Sequence, residues 1–453
     1  MDIVALKEKH SLNYGDFRTS QAIEEIELAQ KTEGLFSHHR PDAISCGITR
    51  TEFENAYSTH LHQMVLDVTE HCNLRCHYCS RDWNREGVGA FERKRMSLQT
   101  AFSAIDFFEK HSSLEKDRAL SFYGGEPLLE FDLIRRCVKY ARSKFSGNGV
   151  HFALTTNGTL INEEVAKYLV ENKFAITVSI DGPRLIHDRH RVDTEGMGCY
   201  DRAIAGLRQI LEAYGTDALD KVLVNMVVTP PYDLDALSDL WKEQPWLPKE
   251  IITNINYAEV EGTNFREHYM SEQSMDFYRT TKRKALSEFK NNCLDENSKT
   301  MPVPKALNEL RLLRILKRPL IQEPRKTCPL NGCCILGVRR VFVTCDGQLK
   351  MCEKALETPV LGSLHSGYDP DKMWGLMEEY AQNSSSDCTR CWVVNLCTIC
   401  FDKAYIGGKF DLEKKRAFCR RRRNQIAEDL KTYCSILEMD HNALNYMDQI
   451  MFE

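Results

Sequence analysis

The sequence predicts an α/β protein, a partial (β/α)6 parallel barrel followed by a small cysteine-dense domain. Three observations predict it. Short apolar runs alternate with amphipathic helical patterns six times between residues 62 and 257. Such alternation implies a parallel sheet with right-handed crossovers, and six repeats fall short of the eight that close a barrel. Second, three of the 18 cysteines lie between Cys72 and Cys79, and eleven lie from Cys328 to Cys434. Third, the N-terminus carries no apolar signal core and no uninterrupted apolar run is long enough to span a bilayer. The expected setting is therefore cytoplasmic, with no membrane partner, and there clustered cysteines read as metal ligands or thiols rather than disulfides.

The elements follow in order. Residues 1–60 form an N-terminal extension. Within it Ala22 to Gln30 has the apolar spacing of an acidic amphipathic helix, read as a lid or leader-peptide docking element, or as a helix packed across the outside or bottom of the barrel. The barrel is expected over 61–258, with strands at 63–69, 118–123, 150–156, 173–180, 222–229 and 251–257. Leu98, Ala101, Phe102, Ile105 and Phe108 share one face of a helix that Ser97 would cap. Asn162 precedes another, with Glu163 and Glu164 placed to suit its dipole. Further helices fit near 130–145, 202–213 and 234–243. Residues 259–327 are polar and helical in pattern, broken by Met301-Pro-Val-Pro304, and read as a bridge. Residues 328–419 hold the cysteine-dense domain, with a turn at Asp346-Gly347, and 420–453 a terminal helix opening on Arg420-Arg-Arg-Arg423. That charge run reads as a solvated face. The net charge is −5, so no global basic field argues for nucleic acid.

The chemistry starts at His71-Cys-Asn-Leu-Arg-Cys-His-Tyr-Cys79, directly after the first strand. Cys72, Cys76 and Cys79 supply three soft ligands. A closed structural site wants four, and a site that does chemistry keeps one position open. Thiolates select iron–sulfur clusters, zinc or Cu(I), so a zinc or redox centre stays open at this point. After the second strand comes Phe122-Tyr-Gly-Gly-Glu-Pro127, where Gly124 and Gly125 permit close backbone approach and Glu126 offers a carboxylate. Thr155-Thr-Asn-Gly-Thr159 follows the third strand, and Ser179-Ile-Asp-Gly-Pro183 with Arg191 follows the fourth.

Together these motifs resemble the radical S-adenosylmethionine (SAM) enzymes, over roughly residues 62–419. The resemblance implies that Cys72, Cys76 and Cys79 hold a [4Fe–4S] cluster whose open iron is chelated by SAM. It implies SAM contacts from Tyr78, Gly124, Gly125, Glu126, Pro127, Asn157, Ser179, Asp181 and Arg191, with Arg191 suited to pairing a carboxylate. The reduced cluster would then cleave SAM to a 5′-deoxyadenosyl radical that abstracts hydrogen.

The C-terminal cysteines resemble the SPASM domain of peptide-modifying members. That resemblance implies two auxiliary [4Fe–4S] clusters, one on Cys328, Cys334, Cys352 and Cys400, the other on Cys388, Cys391, Cys397 and Cys419. The chain departs from the pattern at the Cys397–Cys400 spacing, at Cys333 beside Cys334, and at Cys345. Cys333 or Cys345 is therefore an alternative ligand, and a four-cysteine zinc site is the alternative to iron. Glu353, after Cys352, stands where sulfatase-maturing relatives have a carboxylate base. The whole implies a radical SAM peptide maturase with a SPASM domain, carrying SAM and three [4Fe–4S] clusters. It would abstract hydrogen from a ribosomally made precursor peptide and close an oxidative thioether, ether or C–C cross-link, using a flavodoxin- or ferredoxin-type electron donor. The alternatives are formylglycine formation, as in anaerobic sulfatase maturation, or another side-chain oxidation, and, from a different class, a non-catalytic iron–sulfur or zinc scaffold.

Overall fold

The computed structural model describes residues 3–33, 40–79, 81, 93–113, 118–145, 149–258, 271–294, 302–318, 325–330 and 332–450. Six consecutive strands form the parallel sheet that the apolar runs predict: β2 (Gln63–Thr69), β3 (Ala119–Gly124), β4 (His151–Thr156), β5 (Ala175–Ser179), β6 (Val222–Val228) and β7 (Ile252–Tyr257). β2 is buried on both faces, whereas β4 and β6 alternate with period two. In β6, Val222, Val224, Met226 and Val228 are buried, while Leu223, Asn225 and Val227 on the other face are half-buried. The buried face packs on helices such as Tyr200–Tyr214, through Leu207, Ile210 and Leu211, in one continuous core. The opposite face is left for the site. Ser97 caps the helix Leu98–His111 by accepting from the Thr100 amide, and Asn162 caps Glu163–Glu171 by accepting from Val165. The helical pattern at 234–243 resolves into two short turns, Leu234–Leu237 and Leu240–Glu243.

The sheet does not stop at six strands. Four more join it, in the order β12-β11-β10-β9-β2-β3-β4-β5-β6-β7. β9 (Arg340–Val343) runs parallel to β2, Gln63 opposite Arg340 and Leu66 opposite Val343. β10 (Gln348–Lys350), β11 (Gly362–Ser363) and β12 (Gly367–Tyr368) continue it antiparallel. The Asp346-Gly347 turn joins β9 to β10, with Gly347 at φ +81° and its amide bonded to Thr344 O. The cysteine-dense segment, expected as a small separate domain, is thus fused to the barrel along a sheet edge. A four-residue strand has no periodicity of its own, so its partner, which lies far back in the chain, had no signal in the sequence.

The N-terminal extension is fastened at a second place. β1 (Ala43–Ser45) pairs with β8 (Thr327–Pro329), placing Ile44 opposite Cys328. The helix Asp16–Glu33 packs on Ile3–Tyr14, leaving Phe17 81% and Leu28 61% exposed. The bridge holds two helices, Glu272–Cys293 and Pro302–Leu316. The prolines expected to break it instead open the second helix, where a missing amide costs nothing; Met301 lies outside the described residues. The last helix, Leu412–Leu437, starts eight residues before the arginine run because Asp411 caps it, so Cys419 is helical. Phe289, Leu312, Leu313, Ile436 and Met447 form a second core that ties the bridge to this helix. No described helix is long and apolar enough to cross a membrane.

Candidate active site

The three-cysteine loop leaves β2 at Thr69 and is held from both sides. On one side it lies against Gly124 and Gly125. A Cβ on Gly124 would stand 2.3 Å from Thr69 O, and one on Gly125 2.2 Å from His71 O. These glycines, read in the sequence as room for a ligand, are therefore first of all room for the loop backbone. The Gly125 amide bonds Thr69 O at 2.8 Å and the Glu126 amide bonds His71 O at 2.9 Å. On the other side, Arg75 N bonds Val192 O and His77 N bonds His190 O, strapping the loop to the segment after β5.

Glu126 is wholly buried. Its carboxylate accepts from Thr156 Oγ1 at 2.8 Å, from the Asn157 amide at 2.8 Å and from the Leu128 amide at 3.0 Å, with Pro127 opening a short turn above it. Burial nevertheless pushes its pKa up to about 7, outweighing those hydrogen bonds. Asn157 reaches the loop directly. Its Nδ2 donates to Asn73 Oδ1 at 2.9 Å and lies 3.9 Å from Cys72 Sγ, to which the Leu74 amide also donates at 3.4 Å. Burial raises the Cys72 thiol and pushes Cys76 to about 12, so metal binding must displace their protons.

Below the loop, Asp181 and Arg191 form a buried two-point ion pair at 2.8 and 3.2 Å. Tyr78 donates to the same carboxylate, the Val227 amide donates to it at 2.9 Å, and the Arg191 guanidinium stands 5.6 Å from the Tyr78 ring centre. Ser179 ends β5 beside Asn225 and is nearly buried. The structure thus brings Tyr78, Gly124 to Pro127, Asn157, Ser179, Asp181 and Arg191 around one loop at the C-terminal ends of β2 to β5. Arg191, expected to meet a ligand carboxylate, pairs with the carboxylate of Asp181.

The C-terminal cysteines fall into two neighbourhoods. Cys388, Cys391, Cys397 and Cys419 act electrostatically on one another, and Lys415 donates to Cys388 Sγ at 3.3 Å. Cys400 acts on Cys333 and Cys352, and Cys334 acts on Cys400. Gly332 brings the two halves of this group together, since a Cβ there would stand 2.3 Å from Ile399 O. Cys333 packs against the core while Cys334 is exposed. Cys328 is packed with Ile44, Ala381 and Cys388, its thiol 3.4 Å from Asn395 Oδ1. Cys345 joins neither group. It donates to Asp67 O at 2.9 Å, at the seam between barrel and cysteine-rich region.

The donor sets consist of thiols alone, soft ligands that suit iron–sulfur clusters as well as zinc. Tetrahedral zinc, with Zn–S bonds of about 2.3 Å, draws its sulfurs to about 3.8 Å from one another. Among the described residues no three of these sulfurs lie mutually within 4.8 Å.

One group escaped the sequence reading. Arg81 clasps Asp67 with bonds of 2.9 to 3.2 Å, beneath Tyr123 and Phe342. Burial raises Asp67 to about 6 despite the arginine. An aspartate inside an otherwise apolar strand was the available signal.

This fold and site define a class. Residues 66–241 match the family model described as the Radical SAM superfamily, and they form a radical SAM domain. Among curated relatives, the cysteine-type anaerobic sulfatase-maturating enzyme of Clostridium novyi (strain NT) is 30% identical over 169 residues, 36% of this chain and 44% of that one. The serine-type anaerobic sulfatase-maturating enzyme of Bacteroides thetaiotaomicron is 24% identical over 168 residues, 36% of this chain and 40% of that one. The chain thus spans less than half the length of these curated relatives. The solved structure of native anSMEcpe with bound AdoMet superposes with a TM-score of 0.60 at 19% identity, over 86% of this chain and 100% of that one, a likeness of fold.

Proposed function

We propose that this chain is a radical SAM enzyme that oxidises a side chain of a peptide or protein substrate, with net loss of a pair of hydrogens. The observation that carries the reading is the three-thiol loop held by Glu126 and Asn157 on one side and strapped beside the Asp181–Arg191 pair on the other. Cys72, Cys76 and Cys79 would hold a [4Fe–4S] cluster, and the surrounding polar groups would orient SAM. When bound, cluster and SAM supply a 5′-deoxyadenosyl radical that takes a hydrogen atom from the substrate.

The chain's own residues do the rest. Arg191, Asp181 and Tyr78 form a rigid buried floor, and Glu126 locks the ends of β3 and β4 together. Glu353 is the proposed base. Arg340 holds its Oε1 at 2.6 Å and is itself braced by Gln63 at 2.7 Å, while the buried Oε2 has no partner among the described residues. A carboxylate held at one oxygen and unpartnered at the other has the lone pairs to accept a proton from a substrate group brought against it. Glu353→Gln should lower product formation roughly a hundredfold while leaving iron content unchanged.

The names of the relatives support single side-chain oxidation of the sulfatase-maturating kind. They move the intrapeptide cross-link, which the sequence put first, to second place. A flavodoxin- or ferredoxin-type protein is the proposed electron donor. The test incubates reconstituted, reduced protein with SAM and Cys- or Ser-containing peptides. The expected result is 5′-deoxyadenosine release and a peptide that still fragments along its whole length, lighter by two hydrogens from Ser, and from Cys lighter by two hydrogens with sulfur then exchanged for oxygen as the thioaldehyde takes up water and releases hydrogen sulfide; a ring resistant to fragmentation favours the cross-link. No 5′-deoxyadenosine, together with zinc in place of roughly twelve irons, favours the non-catalytic scaffold.

A further inference from the structure

We propose that Lys415 is the fixed counter-cation of the second cysteine set, a positioning residue that makes the cluster on Cys388, Cys391, Cys397 and Cys419 easier to reduce than its neighbour. The proposal rests on reading those cysteines as cluster ligands. Lys415 lies four residues before Cys419 on the helix Leu412–Leu437, hence on the same face. It is only 2% exposed. Its ammonium donates to Cys388 Sγ at 3.3 Å, lies 3.9 Å from Cys419 Sγ, and stands 5.5 Å from the centre of the Tyr380 ring.

Among the described residues no carboxylate pairs with it. Asp387, the acid one residue before Cys388, is taken by Arg416 at 2.8 and 3.3 Å. A buried ammonium is costly unless an anion answers it. Here the only candidates touching it are sulfurs, and a metal-bound thiolate is a far better acceptor than a neutral thiol.

The neighbouring set lacks this imbalance. Its two nearby acids are each answered already: Glu353, after Cys352, by Arg340 at 2.6 Å, and Asp402, after Cys400, by Lys403 at 2.6 Å. Around Cys352 and Cys400 these acids and bases answer one another, whereas around Cys388 and Cys419 positive charge is in excess: Lys415 touches two of the sulfurs, and Arg422 and Arg423 act on Cys397 and Cys419 from farther off. Reduction adds one electron and no proton, and a cation at hydrogen-bond distance in a dry interior offsets the added negative charge. Tyr380 stands between the two sets, its hydroxyl donating at 3.4 Å to Ile399 O, the carbonyl that Cys333 also faces, and its ring centre 5.5 Å from the lysine. An electron reaching either set should therefore rest on the one that Lys415 faces.

The test is a dithionite redox titration of the full-length reconstituted protein, followed by EPR. The signal of this set is identified as the one missing from Cys419→Ala. In Lys415→Met its reduction equilibrium should fall at least tenfold, about 59 mV for one electron, with the other two signals unmoved, and Lys415→Arg should restore it. If Lys415→Met does not hold iron, Lys415→Gln, which keeps a donor but no charge, is judged by the same criterion. Full iron with an unchanged potential overturns the proposal, as does an equal shift in the Met and Arg variants. Zinc in these cysteines overturns it together with the cluster reading, and metal analysis separates that failure from one confined to Lys415.

Discussion

The barrel and the cysteine-rich region both hold thiols still, and they do it by opposite means. In the barrel, Cys72 to Cys79 hang from the ends of five- to seven-residue strands whose helix-facing side is buried in one large apolar core. The loop is fastened by backbone hydrogen bonds to Gly125, Glu126, His190 and Val192, none of which needs a metal. In the cysteine-rich region the strands are two to four residues long, and the small core beside Cys388 numbers three buried residues, Ile44, Cys328 and Ala381. Its cysteine-bearing segments, 388–400 and 419, meet through Lys415 at Cys388 and Cys419, beside the Arg416–Asp387 pair and the Arg422–Thr398 hydrogen bond. The difference teaches that the backbone of the first site is preformed by the fold, whereas the second would be completed by the clusters proposed for it.

The sharpest test removes one ligand from the preformed site. Cys76→Ala should abolish SAM cleavage and about four of about twelve irons, yet leave the thermal transition of the barrel in place; a collapsed barrel would break the comparison. Next in size is removal of all metal. Chelation under reducing conditions should bring amide exchange in 388–400 to that of an unfolded chain, while β3 to β6 stay protected. Equal loss in both regions would show that the barrel, too, depends on metal.

A smaller effect comes from Glu126. Its folded pKa of about 7 lies above its ordinary value of 4.5. Between those values the folded chain keeps a proton that the unfolded chain has lost, so its stabilising contribution is complete below about 4.5 and is lost as pH rises through 7. Relative to Glu126→Gln, wild type should lose about 3 kcal/mol between pH 4.5 and pH 8, read from urea midpoints. A difference independent of pH would mean the carboxylate is ionised throughout. The smallest is Gly125→Ala, in which the new methyl meets His71 O. It should cost about 1–3 kcal/mol of stability and displace the loop, seen as weaker SAM binding with iron content kept.

Much of this was legible in the chain. The six parallel strands appear within two residues of their expected limits, and Ser97 and Asn162 cap the helices expected of them, because period-two burial and side-chain capping are local properties. Several motif residues, Gly124 to Pro127, Asn157, Ser179 and Asp181, sit at or just past a strand end, whereas Tyr78 and Arg191 lie farther along their loops. Less legible were contacts made by short elements far apart. Arg340 to Val343 is too brief to show a pattern, yet it doubles as an edge partner for β2. Ala43 to Ser45 gave no hint of Thr327 to Pro329.

By itself, then, the sequence determined the strand count of the barrel, the capped helix starts at Ser97 and Asn162, and the order of motifs about Cys72, Cys76 and Cys79, since all follow from spacing along one stretch of chain. Only the tertiary structure decided that Gly124 and Gly125 make room for backbone, that Arg191 answers Asp181, and that Lys415 faces two sulfurs. Those outcomes depend on which side chains arrive at one point from distant segments, and a buried charge takes whatever partner the fold delivers to it.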